Sequence, residues 1–73
     1  MDKNKPKRFF VYAGGQGAHR RGHETDDVFE ARVLFDRLPP GFARCEVRSY
    51  IVSDDHGGWI YDVYIAKTVE EIR

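Results

Sequence analysis

The sequence contains very little cysteine, since Cys45 is the only one in 73 residues. A single thiol excludes an internal disulfide and any zinc site built from several thiolates. It also favours a reducing compartment, so we expect a cytoplasmic protein. No apolar run approaches the roughly 20 residues that span a bilayer, and the first residues lack the apolar segment of a signal peptide. We therefore expect no membrane association.

The chain is also short, which limits it to a single domain with a small core. A protein of 73 residues has no room for a second domain, and chains of about this size bury only about 60 % of their unfolded surface. The hydrophobic content of 41 % still indicates a folded protein. We expect residues 1–6 to form a mobile basic arm. Homodimerisation is one way for such a small core to gain burial.

The net charge of zero conceals a separation of charge along the sequence. Residues 1–25 contain six basic and two acidic side chains, whereas residues 26–73 contain six basic and ten acidic ones. Such asymmetry indicates an anionic partner at one end of the domain. The basic residues expected to converge there, on the first strand and the glycine-rich loop after it, are Lys7, Arg8, Arg20 and Arg21.

The sequence predicts the element order β-α-β-β. Residues 8–13 are dense in aromatic and β-branched side chains and predict a strand, which the glycines of residues 14–22 end. Residues 45–52 and 59–67 alternate in polarity and predict two further strands, joined by a turn at residues 53–58. The expected fold class is therefore α+β, a three-stranded, largely antiparallel sheet with one helix packed on a face.

The helix is predicted to begin at Thr25 to Asp27 and to end near Arg37. Asp27 as the N-cap places Glu30 at the third helical position, which is the spacing of a capping box. The helix stops before Leu38 because a residue that precedes a proline is pushed out of the helical conformation. The predicted core consists of Val28, Ala31, Leu34, Phe35, Val47, Ile51, Val63 and Ile65.

No complete catalytic or metal-binding set of residues can be assembled from the sequence. Cys45 is the only plausible nucleophile, and its place on the apolar face of a strand predicts a buried core thiol. His19 and His23 are four residues apart, but Gly22 between them argues against the helix that would align them on a metal. We expect no catalysis, no metal and no cofactor.

Two surfaces are candidates for partner binding. On the helix, Phe29 and Val33 lie among charged residues opposite the core face, where they form a partner or dimer contact or are covered by the C-terminal segment. One face of the sheet is left without a helix, and tyrosine and arginine are enriched at protein interfaces. We predict that Arg48 and Tyr50 bind a partner there. The other residues predicted on that face are Phe10, Tyr12, Asp62 and Tyr64.

The element order, the chain length and the hairpin that ends in Gly57-Gly58-Trp59-Ile60-Tyr61 resemble those of some small anti-CRISPR inhibitors from phages. The resemblance covers the element order over most of the chain. It implies a protein that blocks a bacterial nucleic-acid-handling complex by occupying a binding surface. We therefore expect a small non-enzymatic protein-interaction module. The alternative is a small nucleic-acid-binding protein that uses the basic N-terminal arm and the glycine/arginine loop.

Overall fold

A four-stranded antiparallel sheet and one α-helix form the described part of the chain, which is residues 5–15, 21–53 and 56–73 of a computed structural model. The sheet order is β2-β1-β3-β4. The class and the single helix agree with the sequence prediction. The elements in chain order are β1 (Phe9–Ala13), β2 (Gly22–Thr25), α1 (Val28–Arg37), β3 (Ala43–Ser53), β4 (Trp59–Ala66) and a 3₁₀-helix (Val69–Glu71).

The prediction of three strands is wrong, because β2 adds a fourth. Its sequence, Gly-His-Glu-Thr, has little intrinsic preference for a strand. It becomes one by pairing with β1, with Gly22 opposite Tyr12 and Thr25 opposite Phe9. Gly22 lies so close to β1 that a Cβ atom there would collide with the carbonyl oxygen of Val11. Tertiary pairing and a glycine's small size, rather than local composition, therefore create β2.

The helix begins and ends where the sequence predicts. The Asp27 carboxylate accepts hydrogen bonds from the amides of Phe29, at 2.8 Å, and Glu30, at 3.4 Å. The Glu30 carboxylate does not complete a capping box: its Oε1 lies 2.8 Å from Nε2 of His23, and the Asp27 amide donates to the Thr25 hydroxyl instead. Glu30 thus joins the first turn of α1 to β2.

The core lies between α1 and one face of the sheet. Val63 and Ile65 were predicted in it but are 44 % and 38 % exposed. Ala66, which pairs with Cys45, is fully buried on the helix side of the sheet. Because side chains alternate between the two faces of a strand, Val63 and Ile65 point to the face away from the helix. The Ile51 side chain lies outside the described residues. The buried hydrophobic residues are Phe9, Val11, Ala31, Phe35, Ala43, Cys45, Val47, Ala66 and Ile72, with Val28, Leu34, Leu38 and Val69 packed against them.

The C-terminal segment is held against the core by polar contacts. Oε1 of Glu71 accepts hydrogen bonds from the amides of Lys67 and Thr68, both at 3.0 Å. These bonds lower the pKa of Glu71, so their contribution to stability is present at neutral pH and is lost as the pH falls through that lowered value. Arg32 Nε donates to the carbonyl of Ile72 at 2.9 Å, and Ile72 is fully buried.

Candidate partner-binding surface

The sheet face opposite α1 carries aromatic, charged and aliphatic side chains, and we call it the open face. The predictions that placed Tyr64 and Asp62 there are wrong, because they pair with Val47 and Ser49, whose side chains point to the helix side. Strand alternation determines which residues share each face. From the registers of the four strands, the open-face residues are Phe10, Tyr12, Glu24, Arg44, Glu46, Arg48, Tyr50, Trp59, Tyr61, Val63 and Ile65.

Aromatic rings form two groups on the open face. Phe10 and Tyr12 stack with their ring centroids 5.3 Å apart. The second group is centred on Tyr50, which meets Trp59 and Tyr61 edge to face at 5.7 Å in each case. The ammonium of Lys5 lies 4.7 Å from the Tyr50 ring and 5.2 Å from the Trp59 ring, so the end of the N-terminal arm contacts this second group.

Arg48 lies on the open face as predicted, but its guanidinium is held by partners within the protein. Its Nε and Nη2 contact Oε1 of Glu46, at 2.9 and 2.8 Å. Its Nη1 donates to Oε2 of Glu24 at 2.8 Å and to the Lys7 carbonyl at 2.9 Å. The Arg48 side chain is only 10 % exposed. Arg48 therefore ties β3 to β2 and to the chain just before β1, which leaves little of it for a partner.

A depression of about 320 Å³ lies at the centre of the open face. Its walls are the Phe10 and Tyr61 rings, and its polar lining is Glu24, Glu46 and Arg48. The charged groups in this described lining are two carboxylates and one guanidinium, and the Glu24 side chain is 49 % exposed. Aromatic walls beside an exposed carboxylate suit a cationic side chain of a partner.

Tyr50 carries an unsatisfied polar atom within this surface. Its hydroxyl oxygen is buried and has no hydrogen-bond partner within the described part of the chain. Burial, the largest influence on this group, raises the pKa of Tyr50, so the hydroxyl keeps its proton at neutral pH. A buried hydroxyl without a partner is destabilising.

Of the predicted basic residues, Lys7 forms an ion pair within the described part of the fold. The Lys7 ammonium lies 3.5 Å from the Asp26 carboxylate. The amide of Arg8 donates to that same carboxylate at 2.9 Å, and this bond is the main reason why the pKa of Asp26 is lowered. Arg21 is exposed, and Arg20 lies outside the described residues. Lys7 is thus the one of these described residues whose charge is shown paired within the fold.

The apolar pair on the helix is exposed. Phe29 is 72 % exposed and Val33 50 % exposed, and they line a cleft of about 470 Å³ with the helix residues Leu34 and Arg37. The C-terminal segment does not cover this pair, because Ile72 is buried in the core instead. Of the two alternatives for Phe29 and Val33, intramolecular cover by the C-terminal segment is therefore wrong, and partner or dimer contact stays a prediction.

We predict that Phe29→Asp weakens self-association, measured by the sedimentation coefficient, or partner capture, and leaves the fold intact. Position 29 lies in the first turn of α1, where an added carboxylate suits the helix dipole, so the change acts on the surface rather than on stability. Capture from a bacterial lysate on immobilised protein measures it, with Phe42→Asp as the control because Phe42 is also exposed but lies outside α1. Equal capture and equal sedimentation coefficients for wild type and Phe29→Asp would contradict the prediction.

The single thiol of the chain is enclosed in the core. Cys45 is fully buried, as predicted, and burial raises its pKa to about 11, so the thiol stays protonated at neutral pH. No group of three or more potential metal ligands occurs among residues 5–15, 21–53 and 56–73. In the same ranges, no helix has the length and apolar character that crossing a bilayer requires.

Comparison with known proteins gives no relative from which a function could be transferred. The chain matches no protein-family model, no curated protein and no solved structure.

Proposed function

We propose that this protein is a non-enzymatic protein-interaction module that binds a protein partner through its open face. The observation that carries the proposal is the central depression, in which the Phe10 and Tyr61 rings flank the half-exposed carboxylate of Glu24 and the Glu46–Arg48 ion pair. Tyrosine and tryptophan dominate binding energy at protein interfaces because they bury a large area and keep a polar group. The open face supplies both residue types in one continuous surface.

The charge of the depression favours a protein over a nucleic acid. Binding to phosphate requires cations that are free to displace counterions. The Arg48 guanidinium is already bonded to Glu24 and Glu46, and the exposed part of Glu24 would repel phosphate. A partner that presents a lysine or arginine side chain would instead gain a carboxylate and two aromatic walls.

This preference defines the class of partner that we propose. Protein surfaces that bind nucleic acid are rich in lysine and arginine. A small domain with an acidic, aromatic depression can occupy such a surface and exclude the nucleic acid. We therefore propose that the partner is a bacterial nucleic-acid-handling complex and that binding inhibits it, as the resemblance to phage inhibitors implies.

The alternative, direct binding of single-stranded nucleic acid, is favoured by one observation. Lys5 lies over the rings of Tyr50 and Trp59, and bases can stack on such rings beside a cation. Salt dependence separates the two candidates. Binding to single strands would lose affinity with a log–log salt slope of about −0.7 per neutralised phosphate, whereas a protein complex would respond to salt mainly through a slower association rate.

The test is capture from a bacterial lysate, with and without nuclease, by wild type, Tyr61→Ala and Tyr64→Ala. Both tyrosines lie on β4, but Tyr61 lines the depression and Tyr64 faces the helix side. We expect nuclease-resistant capture of a protein by wild type and Tyr64→Ala, and at least about tenfold weaker capture by Tyr61→Ala, the size expected for an interface aromatic.

Two results would contradict the proposal. Capture that disappears after nuclease treatment would assign the open face to nucleic acid. Equal losses in Tyr61→Ala and Tyr64→Ala, with both variants folded by circular dichroism, would show that the depression has no special part in binding.

A further inference from the structure

The outer edge of β4 is unprotected within the described part of the sheet. β4 is an outermost strand of eight residues, with Asp62 as its only charged residue and no proline. Its exposed side chains include Ile60, Val63, Tyr64 and Ile65. Long apolar edge strands without such protection tend to pair with another strand. The opposite edge differs, since β2 has only four residues and contacts α1.

One hydrogen bond establishes which backbone groups of β4 point outward. The amide of Arg48 donates to the carbonyl of Arg8 at 2.8 Å, so Arg48 directs its backbone groups towards β1. Because these directions alternate along an antiparallel strand, Val47 and Ser49 direct theirs towards β4. Their partners on β4, Tyr64 and Asp62, are therefore bonded to β3. The intervening residues, Tyr61, Val63 and Ile65, direct their amides and carbonyls to the free edge.

We infer that two copies of this chain pair through β4, antiparallel, about a two-fold axis at Val63. In this register Val63 faces Val63 of the second copy, and Tyr61 faces Ile65. These are the residues with outward backbone groups, so each facing pair forms two hydrogen bonds. The two sheets become one continuous sheet of eight strands, which is within the range seen in proteins.

The side chains of β4 are complementary to themselves in this register. Asp62 faces Tyr64, and Ile60 faces Ala66, so no like charges lie directly opposite each other, and the two Asp62 side chains are only diagonal neighbours, about 7–8 Å apart. At each end Trp59 faces Lys67, a pairing in which an ammonium can lie near an aromatic ring. An axis at Tyr61 or Ile65 would also use outward backbone groups, but it would leave one end of each strand unpaired. Val63 gives the longest overlap.

This inference does not rest on the proposed open-face partner. Pairing uses the backbone edge of β4, whereas of the residues that line the depression, Phe10, Glu24, Glu46, Arg48 and Tyr61, only Tyr61 lies on β4. Isologous pairing also adds burial to a domain whose own core is small, because the exposed Val63 and Ile65 side chains gain cross-strand neighbours. The dimer presents two open faces side by side.

Sedimentation equilibrium of the purified protein tests the inference. We expect the mass to rise from 8.5 kDa towards twice that value between micromolar and millimolar concentration. Val63→Lys places two ammonium groups opposite each other at the axis and should abolish the rise, whereas Val63→Thr keeps a β-branched strand residue and should retain it. A wild type that stays monomeric over the whole range would overturn the inference, as would a Val63→Lys variant that dimerises like wild type.

A cross-linking experiment tests the register. Facing residues of a hydrogen-bonded antiparallel pair have Cα atoms about 5.5 Å apart, which suits a disulfide. Val63→Cys should therefore oxidise to a covalent dimer several-fold faster than Asp62→Cys, whose thiol would not face itself. Buried Cys45 does not compete. Equal rates for the two variants would overturn the register, even if the protein dimerises.

Discussion

Replacement of Arg48 by methionine is expected to remove a large part of the protein's free energy of unfolding. The substitution removes the guanidinium that contacts the Glu46 carboxylate, whose side chain is 11 % exposed, and it also removes the bonds to Glu24 and to the Lys7 carbonyl. Loss of one partner from a buried ion pair destabilises by about 3–5 kcal/mol. The whole free energy of unfolding of a domain this size is about 4–11 kcal/mol. Urea unfolding followed by circular dichroism measures the change.

Arg44→Met is the matched control for this prediction. Arg44 lies on the same strand and the same face, but its guanidinium bonds only to the carbonyls of Gly41 and Ala43 within the described residues. We expect a loss of about 1 kcal/mol, the contribution of an ordinary hydrogen bond. If Arg48→Met were no more destabilising than Arg44→Met, the buried cluster would not be a structural centre of the sheet.

Phe9→Ala is expected to have the second large effect. Phe9 is fully buried in the core and pairs with Val47 on β3 and Thr25 on β2. Truncation of a buried phenylalanine leaves a cavity and destabilises by about 3–5 kcal/mol. The thermal unfolding midpoint should fall by at least about 10 °C, since about 1 kcal/mol corresponds to 4–8 °C in a domain of this length.

Phe29→Ala provides the comparison, because Phe29 is 72 % exposed and lies on a helix, where alanine is the more favourable residue. We expect an unchanged or slightly higher melting temperature. A Phe9→Ala variant as stable as Phe29→Ala would contradict the assignment of the core to the α1 side of the sheet.

The helix could be predicted from the sequence because its signals are local. Asp27 supplies the cap, the apolar residues recur at helical spacing, and the prolines after Leu38 prevent continuation. The hairpin of β3 and β4 could be predicted for the same reason, since alternating strands flank glycine and polar residues. The acidic turn residues Asp54 and Asp55 lie outside the described residues.

The remaining features depend on contacts that are distant in sequence. β2 is a strand only because β1 lies beside it. Both faces of β4 carry bulky apolar residues, so its pattern does not show that Ala66 rather than Ile65 enters the core. The sequence likewise places Arg48 among tyrosines that are predicted to be exposed. In the structure Arg48 is buried, and one of the carboxylates that hold it there is Glu24 of β2. Because the sequence does not predict β2, it also gives no reason to place the Glu24 carboxylate beside Arg48 in the depression.

The central claim is that the open face binds the partner. Its most direct test is the ¹⁹F nuclear magnetic resonance spectrum of Trp59. Trp59 is the only tryptophan in the chain, and its ring contacts Tyr50 on that face. With 5-fluorotryptophan incorporated into this protein alone, we expect the single ¹⁹F resonance to shift on saturation with the captured partner and to lose its response to a soluble paramagnetic quencher. A resonance that keeps both its position and its quenching in the saturated complex would contradict the claim.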